Sequence, residues 1–560
     1  MAVIERRIET APVLHHMHIT PAEWRWVIAA SCSLVALAFV PLMLLALVGA
    51  PGWQFMGVLH NDLDGATYLS KMQLGAEGNW LVYFQHTPDV HDGAFIQVLY
   101  LVMGHVARIT DISPIVLFHG ARAIAGVAMF SAIYQLGTTI WERISSRRLF
   151  FAIASFGAGF GWLLAPLTGD VRYPDVVGLP EAFPFFSALV NVHFPLTIAL
   201  LAVLASMFIV VFRPGSEHDE SVRKGWPAAG LVSITIGFLY PQALVPFAAA
   251  VVAVGLSLWR GRRLRADALR WIAALILPVI PLAVYYALSV QLNPALAEWS
   301  RQNVTLAPEL PVFLLGFGLP LLIGLPAWVR GFRRFERDGD RLMLLWGLAI
   351  VVIVFLPTSI QRRFAVGLML PIAYFAVRAL EAVWLPRIRR RRVRGLIVFA
   401  LLALMSVSSF VVAFLPALPA LAGNPGASVR LFLPEYYRPA FTFLADGLAD
   451  RAQNTVVLAA PAPSAWLPAW AGTRVVYGHP FETLRAEARL AAVEAWYALD
   501  GSDPAACSVL LDSLNIRYVL VGPLERALGP AGCVNALTFA AQFGPVGGSS
   551  NGNTVVVYVR

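Results

Sequence analysis

The run Val27–Gly49, VIAASCSLVALAFVPLMLLALVG, carries no charged residue over its 23 positions. Wound as a helix at ~1.5 Å per residue it extends about 35 Å, enough to cross the ~30 Å hydrocarbon core of a bilayer. Apolar runs of this kind return near 115–140, 149–168, 186–212, 227–240, 242–259, 271–290, 311–330, 341–357, 365–385 and 396–421, giving about eleven spans. Composition agrees: of 560 residues, 58% are hydrophobic and 13% charged, with mean hydropathy +0.69, where soluble domains are about 25% charged. Such a chain cannot hide its apolar surface from water, so it reads as a polytopic α-helical membrane protein. The first run is preceded by Glu23 and Arg25 and lacks an early small-residue cleavage site, so it reads as an uncleaved helix rather than a signal peptide.

The charges then assign sides. Phe95–Ile109 is apolar but only 15 residues long, and 227–259 is too long for one helix and short for two. Reading the first as interfacial and the second as a hairpin broken at Tyr240-Pro241, where proline removes a helical hydrogen bond, puts every Arg-rich connector on the side of the N-terminus. Those connectors are 141–148, 213–226, 260–270, 330–341 and 387–394; with Arg6, Arg7 and Arg25 they hold 25 basic residues. The opposite connectors hold six: Lys71, Arg108, Arg172, Arg301, Arg362 and Arg363. The positive-inside rule then places the N-terminus in the cytoplasm. It also accounts for the +9 net charge and pI near 9.7 without nucleic acid, for which no basic and aromatic groove pattern is present.

The organisation that follows is a cytoplasmic arm, 1–26, and a membrane domain, 27–422, whose first extracytoplasmic loop is 50–114. A small extracytoplasmic α/β domain, 423–560, completes it. In the tail, β-rich runs (Thr455–Ala459, Arg474–Gly478, Ile516–Val521, Thr554–Val559) alternate with helix-like stretches such as Phe481–Leu499. The cysteines Cys32, Cys507 and Cys533 form no metal-spaced set. On the outer side Cys507 and Cys533 either pair as a disulfide or stay as two buried thiols.

The loop 50–114 concentrates Asp62, Asp64, Glu77, Asp89, Asp92 and Asp111 with few bases. Two carboxylates one residue apart, as in Asp62-Leu63-Asp64, suit a general base with a helper or a cation that carries a phosphate; in a solvated loop Asp and Gly are also plain turn formers. Context favours the chemical reading. Asp62 and Asp64, directly after a first span and followed by Tyr68-Leu69, with the Gly78-Asn79-Trp80 turn and Gly104 with Arg122 at the head of the second span, resemble the GT-C superfamily of glycosyltransferases. So do the tail segments Arg474 to Thr483 (RVVYGHPFET) and Tyr518 to Arg526 (YVLVGPLER). The resemblance spans the whole layout on short motifs, and it points to a mannosyltransferase-like bacterial membrane enzyme of the cell envelope.

That resemblance implies a reaction. A sugar passes from a polyprenyl-phosphate carrier to an acceptor hydroxyl of a lipid, glycan or protein, with inversion, on the extracytoplasmic face of the inner (plasma) membrane. An acidic residue of the first loop is the base, Asp64 first and Asp62 second. Arg362 and Arg363 defy the inside bias and offer bidentate donors to the carrier phosphate; contact with lipid headgroups is the plainer alternative. Arg122, ionisable within an apolar span, is a further candidate, with snorkelling as its alternative. Tyr68, and His479 with Glu482 from the tail, are candidates for substrate contact. His86, Asp89 and His91 are weak candidates for a divalent metal, on a segment that otherwise reads as a loop. Asn191 and His193 either line a polar cavity or bond neighbouring helices, and Gly157, Gly159 and Gly161 read as helix packing.

Two other classes compete. A transporter or flippase of a lipid-linked substrate would show broken helices in matching halves, and only the break at Tyr240-Pro241 is found. A non-catalytic envelope-assembly protein would share the layout without needing the carboxylates.

Overall fold

A computed structural model describes residues 19–335, 339–447, 455–537, 540–543 and 555–559. Arg6, Arg7, Arg337 and Thr554 lie outside the described residues. Among the described residues eight helices are long and apolar enough to cross a membrane: Pro21–Val48, Pro114–Ile140, Ile144–Thr168, His193–Val211, Pro241–Arg260, Ala266–Leu292, Met369–Arg387 and Arg391–Leu421. The protein is therefore an integral membrane protein.

The other three apolar runs form shorter helices. Trp226–Leu239 has 14 residues and stops at Tyr240, before the turn Pro241–Ala243, where the sequence places a break. The run 311–330 divides into Leu310–Leu315 and Gly318–Arg333, and 341–357 becomes the 15-residue helix Asp340–Val354. Val98–Thr110, at 13 residues, is about 20 Å long, too short to span the core.

The chain forms two compact units. The first comprises 1–38, 122–284 and 305–413; the second comprises 39–121, 285–304 and 414–560. Several buried polar side chains of the first unit close on one another. Glu23 receives Arg147 (2.8 Å) and the Tyr134 hydroxyl, and Asp340 receives Arg378 and Tyr374. Asp175 accepts from Ser408 Oγ (2.6 Å) and Gly161 N (2.9 Å). The glycines at 157–161 let backbones touch: a Cβ on Gly159 would collide with the Gly316 carbonyl, and one on Gly161 with the Asp175 carboxylate.

In the second unit, β1 (Trp53–Phe55) pairs antiparallel with β2 (Phe432–Pro434). Residues 456–559 form a five-stranded mixed sheet from β3 (Val456–Leu458), β4 (Arg474–Val475), β5 (Ile516–Val521), β6 (Ala540–Phe543) and β7 (Val556–Val559), in the order β4-β3-β5-β7-β6. β3 runs parallel to both β4 and β5, and β7 is antiparallel to β5 and β6. The strand at 540–543 has no clear alternation in the sequence and was not expected. The helix expected over 481–499 begins only at Ala486, because the preceding residues form a turn described below. Cys507 and Cys533 are joined in a disulfide 26 residues apart, inside an apolar cluster with Trp496, Tyr497 and Leu511. Closing a loop of that length constrains the unfolded chain by about 3–4 kcal/mol.

Helix Asp62–Ala76 packs on Val98–Thr110 at Gly75 and Gly104, where a Cβ on either glycine would strike the backbone carbonyl of Leu101 or Met72. Gly104→Val should therefore cost at least about 1–3 kcal/mol, read as a lower melting temperature of the purified protein. Gly120→Ala, at a helical site with nothing within 4 Å of the new Cβ, should melt no lower than the parent.

Candidate functional site

Asp62 and Asp64 are not in a loop. They occupy the first turn of helix Asp62–Ala76, after Asn61 in the left-handed conformation (φ 55°), where the positive end of the helix dipole favours carboxylates. Positions i and i+2 of a helix point about 200° apart, so the two carboxylates diverge and do not act as a pair. Asp62 Oδ2 meets Arg430 Nε at 3.0 Å. Asp64 Oδ2 accepts from Asn61 Nδ2 at 2.7 Å, and Asp64 Oδ1 lies 3.5 Å from His479 Nε2. The Asp64 side chain is 39% exposed, while that of His479 is 4% exposed.

Over the next two turns the same helix buries its side chains. Lys71 Nζ binds Glu482 Oε1 at 2.6 Å, with side chains 1% and 5% exposed. Tyr68 stacks on Tyr100 with centroids 4.1 Å apart, and the Lys71 ammonium lies 5.7 Å from the Tyr68 ring. His86 completes the cluster: its Nε2 donates to the Ala465 carbonyl (3.0 Å), and its Nδ1 is 3.6 Å from Glu482 Oε2. Lys71 and His86 were not singled out as partners of Glu482 in the sequence, because 411 residues separate Lys71 from that carboxylate.

The turn that delivers His479 and Glu482 is tied by Thr483. Its hydroxyl accepts from the backbone N–H groups of Gly478 (3.2 Å) and His479 (3.1 Å) and donates to the His86 carbonyl (2.6 Å). Gly478 is required there, since a Cβ would press on Ser464 O and His86 Cδ2 at 2.7 and 2.8 Å. Around it, Val475 N donates to Gln85 O (3.1 Å), Arg474 to the carbonyls of Thr87 and Pro88, and Leu484 N to Thr87 Oγ1 (3.3 Å). Residues 85–89 of the first connector and 474–489 of the tail are thus one hydrogen-bonded piece.

The charges of this cluster are strongly biased. Burial alone would raise the Glu482 carboxyl, but the Lys71 ammonium outweighs it and holds Glu482 well below the usual carboxylate range. Burial pushes the His86 imidazole down, against the pull of Glu482. Asp89 is likewise held low: burial opposes ionisation, but Thr87, Arg489 and Arg485 prevail, the two guanidinium groups each at 2.8 Å.

The metal candidates do not converge. His86 faces Ala465 and Glu482, Asp89 takes two arginines, and His91 accepts from Phe84 N (3.0 Å) with Nδ1 on Asp92 O (2.9 Å). Among the described residues no group of three or more His, Cys, Asp or Glu is arranged to hold a metal ion. The donor set fits no divalent ion as it stands.

In the first unit, Arg362 and Arg363 lie half-buried in the turn Gln361–Ala365. That turn is laced to 305–307 by Arg362 N to Thr305 O (3.1 Å), Thr305 N to Ser359 O (2.7 Å) and Ala307 N to Gln361 Oε1 (3.1 Å). Arg122 neither snorkels nor reaches a surface: it is 2% exposed, and its Nη1 donates to the Leu189 carbonyl in the last turn of helix Pro184–Val190. Asn191 is fully buried, with no hydrogen-bond partner for its amide oxygen or nitrogen among the described residues, and His193 stacks near Tyr240 at 5.8 Å.

Removing Lys71 would strand the buried Glu482 charge. Lys71→Met should destabilise the protein by about 3–5 kcal/mol, measured by thermal unfolding in detergent. Acid should do the same to the parent. Both His86 and Glu482 have folded values below their unfolded ones of ~6.5 and ~4.3, so the unfolded chain binds more protons as pH falls. Stability is full above about pH 6.5, declines first as His86 is outcompeted and falls again below about pH 4.3; a melting temperature flat from pH 7.5 to 4 would contradict the cluster.

No protein-family model matches the chain, and no curated protein matches it. Solved structures do. ArnT from Cupriavidus metallidurans bound to undecaprenyl phosphate aligns over 96% of this chain and 98% of its own, at 13% identity and TM-score 0.51. The Archaeoglobus fulgidus oligosaccharyltransferase tethered to an acceptor peptide aligns over 95% of this chain and 74% of its own, at 12% identity and TM-score 0.50. Arabinofuranosyltransferase AftD from Mycobacteria aligns over 97% of this chain and 42% of its own, at 14% identity and TM-score 0.54. At these identities the likeness is one of fold: this chain shares the fold of these membrane glycosyltransferases.

Proposed function

We propose that the protein is an inverting glycosyltransferase that moves a hexosyl or pentosyl group from a polyprenyl-phosphate carrier to an acceptor hydroxyl. The observation that carries this is Asp64: a partly exposed carboxylate on a helix N-terminus, just after the first membrane helix, with Asn61 and His479 beside its oxygens. Asp64 takes the proton of the acceptor hydroxyl as its oxygen bonds to the anomeric carbon; the bond to the phosphate oxygen breaks, and polyprenyl phosphate leaves with the electron pair. Asp62, turned to Arg430, has the lesser role of holding the tail against the helix start. Arg362 and Arg363 are the proposed donors to the carrier phosphate, a role supported by their place on a connector with few other cations. That ArnT binds undecaprenyl phosphate makes that lipid the first carrier to test.

In this reading the chain crosses the bacterial inner membrane eleven times, with residues 1–26 in the cytoplasm, 27–422 as the membrane domain and 423–560 outside. The Cys507–Cys533 disulfide supports an oxidising surrounding for the tail. The acceptor is a lipid, glycan or protein of the envelope, mannosyl-type transfer being the first to try.

The purified protein should release label from one member of a panel of radiolabelled undecaprenyl-phosphate sugars. Asp64→Asn should lower that transfer by about 10²–10⁴-fold with normal folding, and Asp62→Asn by less. Replacing Arg362 and Arg363 by Ala should raise KM for the lipid donor. Unchanged transfer by the Asp64→Asn variant would remove Asp64 as the base.

A further inference from the structure

We propose that His479 is a positioning residue that holds Asp64 in its reactive orientation and takes no part in moving the proton. This rests on the reading of Asp64 as the base. The His479 Nδ1 accepts two backbone N–H groups, from Phe481 at 3.0 Å and Glu482 at 3.2 Å. A ring nitrogen that accepts carries no hydrogen, so the proton of the neutral imidazole sits on Nε2. That Nε2 lies 3.5 Å from Asp64 Oδ1, a separation of the kind that tightens in the complex with substrate.

The two oxygens of Asp64 are then addressed separately. Asn61 Nδ2 donates to Oδ2 at 2.7 Å, and His479 Nε2 is the neighbour of Oδ1 at 3.5 Å. The carboxylate is thus held at Oδ2 by the amide and flanked at Oδ1 by the imidazole. When the acceptor O–H bond breaks, its proton goes to Asp64. His479 cannot pass that proton on, because its only other nitrogen is closed by the two backbone donors.

What keeps His479 in this tautomer is the buried ion pair. Glu482 supplies one of the two N–H groups, and its side chain is anchored on Lys71 at 2.6 Å. Thr483 fixes the same turn through its three hydrogen bonds. His479 itself is 3% exposed, so its ring does not swing out.

Two substitutions separate orientation from folding. In His479→Asn the short amide oxygen replaces Nδ1 for the two backbone donors, but its nitrogen does not reach Asp64. In His479→Gln the longer amide keeps a donor near the Nε2 position. With the undecaprenyl-phosphate sugar that the panel selects as donor, His479→Asn should lower kcat about 10–100-fold with KM within twofold and an unchanged melting temperature, and His479→Gln should recover at least tenfold of that loss. The double variant with Asp64→Asn should be no slower than Asp64→Asn alone. Wild-type kcat in His479→Asn, or additive losses in the double variant, would overturn the proposal.

A spectroscopic arm needs no substrate. In ¹⁵N-histidine-labelled protein in nanodiscs, the resonance lost in His479→Asn should be a neutral imidazole protonated at Nε2, and Asp64→Asn should shift that Nε2–H. A ring protonated at Nδ1, or one blind to Asp64→Asn, would overturn it. Should Asp64→Asn keep full activity while still shifting His479, the base assignment falls and the contact stands, so the two failures are distinguishable.

Discussion

The second unit is organised around one buried charge. Glu482 sits almost without solvent, and a carboxylate so placed is tolerable only with a partner of opposite charge and full hydrogen bonding. Lys71 supplies the charge from the helix that begins at Asp62, 411 positions earlier in the chain. The pair therefore acts as a registry device: it admits the tail turn 478–483 in one place against that helix. His86 lies against it, with Nδ1 3.6 Å from Glu482 Oε2, and the Thr483 hydroxyl ties the turn to the His86 carbonyl.

That registry has a chemical consequence. Asp64 and Lys71 lie seven positions apart, two turns along one helix, so fixing Lys71 on Glu482 fixes the tail turn at Asp64 as well. His479, three residues before Glu482, then meets Asp64 Oδ1 rather than water alone. A surface carboxylate at a helix N-terminus is ordinary; one with a buried imidazole beside it and an amide on its other oxygen is oriented. The stability of the interior and the geometry of the exposed acid are linked through the same six-residue turn.

The first unit solves a different problem with the same rules. Its helices carry few charges, and those that lie inside are closed among themselves: Glu23 with Arg147 and Tyr134, Asp340 with Arg378 and Tyr374. Arg122 follows suit on the Leu189 carbonyl. Intramembrane and ionisable, Arg122 gives a donor to a helix end that has no other cap. Asn191 is a buried amide with no hydrogen-bond partner among the described residues.

The sequence by itself determined the membrane character, the positions of the long apolar helices, the break at Tyr240-Pro241, and strand β5 to the residue. These depend on composition, hydrophobic run length and proline, all of which act within about twenty neighbouring positions. It also pointed to Asp64, His479 and Glu482 as chemistry-bearing residues. Only the tertiary structure decided what they touch. D-x-D looked like a pair in a loop, and becomes two divergent acids once the chain there is helical; His86, Asp89 and His91 looked like ligands, and are each claimed by a nearer partner. Lys71 gave no local signal at all. Its role is set by a Coulomb and desolvation balance with a residue from the other end of the chain, and that balance exists only after folding has taken both groups out of water.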